Sequence, residues 1–118
     1  MLLKQVQELL DAQVLCGEDM LQTLQARDVY ASDMMSDVLA QVKGSPILLT
    51  GLCNPQVIRT AEMMDISCVI FVRGKCPDDH VMKIAQESTL CVMKTAKCMF
   101  EACGILYKSG LCGGEDLE

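Results

Sequence analysis

Ile47-Leu48-Leu49-Thr50-Gly51-Leu52-Cys53-Asn54-Pro55-Gln56-Val57-Ile58-Arg59-Thr60-Ala61 reads as a strand, a loop and a helix start in direct succession. Ile47 to Leu49 form an apolar run, bounded by Gly44-Ser45-Pro46 before it and Gly51 after it, which marks a short buried strand. Asn54 suits a helix N-cap, because its side-chain oxygen can accept from a first-turn N–H. Pro55 suits the first helical position, where the missing N–H leaves nothing unsatisfied. Val57, Ile58, Ala61 and Met64 then recur at helical spacing. A strand that feeds a capped helix at the C-terminal edge of a sheet presents free backbone N–H groups, a place where anions and nucleotides bind.

The flanking chain extends this pattern in both directions. Downstream, Ser67 to Val72 is the most continuous apolar run, short and β-branched, as a central strand buried on both faces requires. Arg73-Gly74-Lys75-Cys76-Pro77 reads as a loop, and Asp78-Asp79 open a helix carrying Val81, Ile84 and Ala85. Leu90 to Met93 forms the next strand, and Lys97 to Ser109 the last helix, ended by Gly110. Upstream, Ser32 or Asp33 caps a helix with the stripe Met34, Met35, Val38, Leu39 and Val42, stopped at Gly44. Thr23 to Ala31 is expected to be extended, Gln13 to Cys16 a short strand, and Leu2 to Leu10 an amphipathic helix. From Ile47 onward strand and helix alternate with short connections. That order predicts an α/β fold whose mainly parallel sheet is joined by right-handed crossovers and covered on both faces.

Composition narrows the function. The 118 residues fit one domain, expected over 1–112, with 113–118 as a disordered tail or cloning remnant. Apolar residues make up 51% of the chain, but with two Phe, two Tyr and no Trp the core is aliphatic and sulfur-rich. A net charge of −6 without a basic cluster argues against nucleic-acid binding. No apolar run is long enough to span a membrane, and no signal peptide precedes the first helix, so a cytoplasmic protein is expected. The eight cysteines contain no Cys-x-x-Cys pair and no zinc spacing. Reduced thiols acting as small hydrophobes, as at Cys68 and Cys91, are the simplest reading; a cysteine-based redox or metal sensor is the alternative.

No residue pattern carries a reaction. His80, the sole histidine, lies in the polar first turn of a helix and is expected to face solvent, so no nucleophile has a base. Asp33 and Asp37, four apart, could hold a cation or orient a ligand, although a cap and a first-turn acid explain the spacing equally simply. Ser32 and Ser36 repeat the same interval. Thr50 and Asn54, with Arg59 as counter-charge, could hold a phosphate or a ribose. There is no Walker-type lysine and no Gly-x-Gly-x-x-Gly. No catalytic residue, metal site or cofactor is therefore expected.

Two segments together carry a family resemblance. Tyr30-Ala31-Ser32-Asp33-Met34-Met35-Ser36-Asp37-Val38-Leu39-Ala40 and Leu49-Thr50-Gly51-Leu52-Cys53-Asn54-Pro55-Gln56-Val57-Ile58-Arg59-Thr60-Ala61-Glu62 resemble the DRTGG domain. Val69-Ile70-Phe71-Val72-Arg73-Gly74 and Met99-Phe100-Glu101-Ala102-Cys103-Gly104-Ile105-Leu106-Tyr107 fit it too, so the likeness spans nearly the whole chain. The Asp-Arg-Thr-Gly-Gly run that names the family is absent. The chain most resembles small stand-alone members of anaerobic bacteria, often encoded near iron-only hydrogenase genes. An accessory role in hydrogenase-associated electron transfer is thus a further alternative.

The resemblance implies a three-layer α/β/α fold, similar to the N-terminal domain of HPr kinase/phosphorylase and of Mur ligases. It also implies a regulatory or dimer-forming module rather than a catalyst. By analogy with the uridine-binding role of the Mur domain, Ser32, Asp33, Ser36, Thr50 and Asn54 become ligand candidates beside Asp37 and Arg59. The expectation is a non-catalytic regulatory or interaction module that senses a nucleotide or phosphate, with a protein partner as a further prospect. A homodimer is expected because Met99, Phe100, Cys103, Leu106 and Tyr107 spread around too much of the last helix for one buried stripe.

Overall fold

Five short strands build one sheet in the computed structural model, which describes residues 1–113. The elements run α1 (Leu3–Leu9), β1 (Gln13–Cys16), a 3-10 turn (Glu18–Met20), β2 (Val29–Ala31), α2 (Met35–Gln41), β3 (Ile47–Thr50), α3 (Pro55–Met63), β4 (Cys68–Phe71), α4 (Asp79–Gln86), β5 (Cys91–Lys94) and α5 (Met99–Lys108). The spatial order is β1-β5-β4-β3-β2. β2, β3, β4 and β5 are parallel, and β1 closes one edge antiparallel to β5. The apolar run from Cys68 takes the centre of the sheet, and all four of its residues are buried. A strand covered on both faces needs apolar side chains in both directions, and this one supplies them.

Alternate side chains of each strand enter two separate cores. On one face Ile47, Leu49, Cys68, Ile70, Cys91 and Met93 pack against Leu3, Val6 and Leu10 of the α1 segment and Ala102 and Leu106 of α5. On the other, Leu48, Val69, Phe71 and Val92 meet Met35 and Val38 of α2, Val57, Ile58 and Ala61 of α3, and Val81 and Ala85 of α4. The result is the expected three-layer α/β/α arrangement. β2, β3, β4 and β5 follow one another across the sheet through α2, α3 and α4, all on one face. Their C-terminal ends therefore lie along a single edge, with the strand-to-helix loops above it.

Three expectations change. First, only Val29–Ala31 of the stretch from Thr23 is a strand. The preceding carbonyls instead satisfy the free N–H groups that open α1, Leu3 N–H donating to Leu24 O and Lys4 N–H to Leu21 O, each at 2.9 Å. Second, α2 begins at Met35, so neither Ser32 nor Asp33 is its cap. Ser32 Oγ accepts from Met34 N–H at 3.0 Å in a local turn, and Asp33 is used elsewhere. Third, only Cys68 and Cys91 are fully buried; Cys16, Cys53 and Cys103 are half-buried, while Cys76, Cys98 and Cys112 are exposed on loops and element ends. The expected tail begins at Gly113, and 114–118 lie outside the described residues.

Candidate functional site

The C-terminal edge of the parallel strands gathers most of the polar residues singled out above. Thr50 ends β3 fully buried, so its hydroxyl must find partners. It donates to Asp33 Oδ1 at 3.2 Å and accepts from Leu52 N–H at 3.1 Å. Asp33 Oδ1 also accepts from the Gly51 N–H at 2.7 Å. One carboxylate oxygen thus ties the loop after β2 to the end of β3, while the side chain as a whole remains exposed. Asn54 caps α3, its Oδ1 accepting from Val57 N–H at 3.3 Å, with Pro55 next in the chain. The N–H groups of Gly51 and Leu52 are therefore satisfied within the protein, as is that of Val57 among the helix-start groups expected to be free for an anion.

The cationic component comes from the neighbouring strand. Arg73 follows β4 with φ of +59°, a left-handed conformation that turns the chain sharply off the sheet. Two backbone bonds hold this turn, Arg73 N–H to Lys97 O and Gly74 N–H to Thr95 O, both at 2.8 Å. The turn lays the guanidinium against Gly51: a methyl group there would sit 2.7 Å from Arg73 Nη2 and 3.5 Å from Asp33 Oδ1. Gly51 is therefore the flat floor between a cation and a carboxylate. Cys53, two residues on, has its thiol pushed up by burial, an effect that nearby Lys75 and Arg73 partly oppose. The loop after β4 thus lays one cation, Arg73, against the loop after β3 and carries a second, Lys75, two residues on.

Arg73 and Lys75 were absent from the residues picked out of the sequence. The available signal was their position directly after the central strand, at the edge where α/β sheets bind ligands. Among the picked residues the structure joins Asp33 and Thr50, with Ser32 and Asn54 next to them in the same two loops. Ser36 and Asp37 are exposed in the first turn of α2, and Arg59 is exposed midway along α3. Because Asp33 precedes the helix, it does not share a helical face with Asp37. Among the described residues, no group of three or more His, Cys, Asp or Glu is placed to hold a metal ion. His80 is exposed on α4, as expected.

A second group lies at the opposite edge. Cys68 and Cys91 are register partners on β4 and β5, both buried. The neighbouring Cys91 thiol, together with burial, raises Cys68, and the Cys68 thiol in turn lowers Cys91. No helix among the described residues is long and apolar enough to cross a membrane.

Comparison with known proteins agrees with this architecture. No curated protein sequence matches the chain. Among solved structures it is similar to the CBS and DRTGG domains of the regulatory region of Clostridium perfringens pyrophosphatase, crystallised in complex with the activator diadenosine tetraphosphate. The TM-score is 0.71 at 17% sequence identity, over 92% of this chain and 47% of that one. The chain thus spans about half the length of the structure it matches. The description "DRTGG domain" fits residues 5–109, which include every strand and every helix described above except the first two residues of α1. The chain belongs to the DRTGG domain family.

Proposed function

We propose that the protein is a non-catalytic regulatory module that senses a nucleotide at the C-terminal edge of its sheet and works as a homodimer. The observation that carries this reading is the placement of Arg73 and Asp33 on either side of Gly51. A cation and a carboxylate around a bare backbone floor suit a ligand with phosphate at one end and hydroxyls at the other. Arg73 and Lys75 take phosphate oxygens, and Asp33, through its remaining acceptor capacity, takes ribose hydroxyls. Ser32 on one side, and Thr50 and Asn54 on the other, belong to the two loops that frame this floor, while Ser36 and Asp37 follow in the first turn of α2 and Arg59 lies midway along α3. The nucleotide-bound pyrophosphatase regulatory region gives the reading its ligand class, and the expected likeness to the Mur ligase domain points the same way.

Calorimetric titration with diadenosine tetraphosphate, ATP, AMP and UDP, using inorganic phosphate as control, tests it. Arg73→Ala removes charge-assisted bonds and should weaken nucleotide binding by about 10- to 100-fold. Binding that survives both Arg73→Ala and Asp33→Ala would place the site elsewhere, and no heat with any of the four would remove the sensing function.

A further inference from the structure

Helix α5 carries two apolar stripes, and only one of them is used inside the chain. Ala102 and Leu106 are buried against the sheet. On the far side Phe100, Cys103, Gly104 and Tyr107 follow at spacings of three, one and three, which puts them on one face. Phe100 is 86% exposed and Tyr107 78% exposed. The stripe continues into an apolar cavity of about 360 Å³ that reaches Val29 and Ala31 of the edge strand β2.

Gly104 is the informative residue. Glycine inside a helix is unfavourable relative to alanine. Nothing lies within 4 Å of the position a Cβ would take there, so no contact inside the chain calls for it. A helical glycine with an open outer face lets another helix approach closely.

We infer that this face pairs with the same face of a second copy, two α5 helices crossing antiparallel at Cys103 and Gly104. The inference rests on the homodimer reading given above and supplies its geometry. The stripe is self-complementary about its midpoint: in an antiparallel pair Phe100 of one copy meets Tyr107 of the other, twice. The flanking charges obey the same symmetry. Glu101, in the first turn, and Lys108, in the last, lie on one flank of the stripe, so each faces its opposite across the two-fold axis. Two Phe and two Tyr, at ~150–250 Å² each, remove about 600–1,000 Å² of surface. The smallest specific interfaces bury ~1,200 Å², a shortfall that Cys103, Gly104 and the β2 edge can cover.

Light scattering and sedimentation at about 50 μM, where a micromolar dimer is populated, read the result directly. Wild type should have twice the chain mass of 12.9 kDa. Gly104→Leu and Phe100→Glu should each raise the dissociation constant ~100-fold or more, with unchanged far-UV circular dichroism because both sites are exposed. Glu101→Lys and Lys108→Glu should each raise it about 5- to 30-fold, and the double reversal should restore it. A monomeric wild type, a dimer indifferent to Gly104→Leu and Phe100→Glu, or a double reversal that fails to restore association would each overturn the inference. Nucleotide binding is read separately by calorimetry, so loss of the sensing function leaves this result interpretable, and the reverse.

Discussion

Removing the Asp33 carboxylate should unfasten the candidate site from below. In the folded chain Oδ1 accepts from the buried Gly51 N–H at 2.7 Å and from the Thr50 hydroxyl at 3.2 Å. Asp33→Ala leaves that N–H without a partner at the end of a central strand. A hydrogen bond to a charged acceptor contributes about 1.5–3 kcal/mol, and an orphaned buried donor costs about 1–3 kcal/mol. Asp33 is exposed, so water can reach part of the gap, and the expected loss lies toward the lower end, about 1.5–2 kcal/mol. Asp33→Asn keeps a carbonyl acceptor in place and gives up only the charge assistance, about 0.5–1 kcal/mol. Thr50→Val deletes the hydroxyl that both donates to Asp33 and accepts from Leu52 N–H, at a cost of about 1–3 kcal/mol. Because the two residues share a bond, the double variant should fall short of additivity by ~0.5–1 kcal/mol. The chain has no Trp, so urea unfolding is best followed by far-UV circular dichroism. With a slope of ~1–1.5 kcal/mol/M, Asp33→Ala should lower the midpoint by about 1–2 M. An Asp33→Ala midpoint equal to wild type, or an asparagine as costly as alanine, would refute the fastening role. If Asp33→Asn keeps the midpoint and loses nucleotide binding, the charge serves the ligand rather than the fold.

Other perturbations separate causes equally well. Gly17 has φ of +78°, and a Cβ there would lie 2.6 Å from both Cys91 Cα and Leu90 O. Gly17→Ala therefore combines a left-handed alanine, about 1–2 kcal/mol, with backbone overpacking of ~1–3 kcal/mol. Gly44 has φ of +73° and open space, so Gly44→Ala should show only the first cost; equal losses in urea unfolding would refute the contact at Cys91. Phe71→Ala, which empties a fully buried position on the central strand, should cost about 3–5 kcal/mol by the same assay. Alkylation of the native protein should label Cys76, Cys98 and Cys112 first and Cys68 and Cys91 only on unfolding; early labelling of Cys68 would contradict its burial. Stability should also fall as pH rises past the ordinary thiol value of 9.0, because Cys68 is raised by the neighbouring Cys91 thiol and by burial. Its contribution is complete below that value and is lost at higher pH, where the unfolded chain gives up the proton and the folded one keeps it. Burial also raises Cys16, Cys53 and Cys103, and Cys68→Ala removes the neighbour that lowers Cys91, so this variant should reduce the slope but keep its sign in urea titrations between about pH 8 and 10.5.

What the sequence revealed of the site follows from the range over which each signal acts. Cys68 to Phe71 and the capped start at Asn54 were legible because apolar period and capping are local, read within a turn or a strand. Asp33 misled for the same reason. Its spacing to the stripe of α2 is that of a cap, yet its carboxylate is claimed by Gly51, eighteen residues along the chain, because β2 and β3 are register neighbours. A cap and a cross-strand tether ask for the same residue type, and only the sheet order distinguishes them. Arg73 was invisible by its surroundings in sequence, where it reads as one loop residue among several. Its position depends on a left-handed turn fastened to Lys97 O and on the absence of a side chain at Gly51. Both contacts are tertiary. The rule that does reach such residues is topological: once the strands after Ile47 are read as parallel, the first residues beyond each of them must share one edge. Applied to every strand rather than to the best-capped one, that rule selects Ser32-Asp33, Thr50-Gly51 and Arg73-Gly74 together. The polarity of the site follows directly, because the carboxylate comes from one outer strand, the cation from the central strand, and the bare floor from the strand between them.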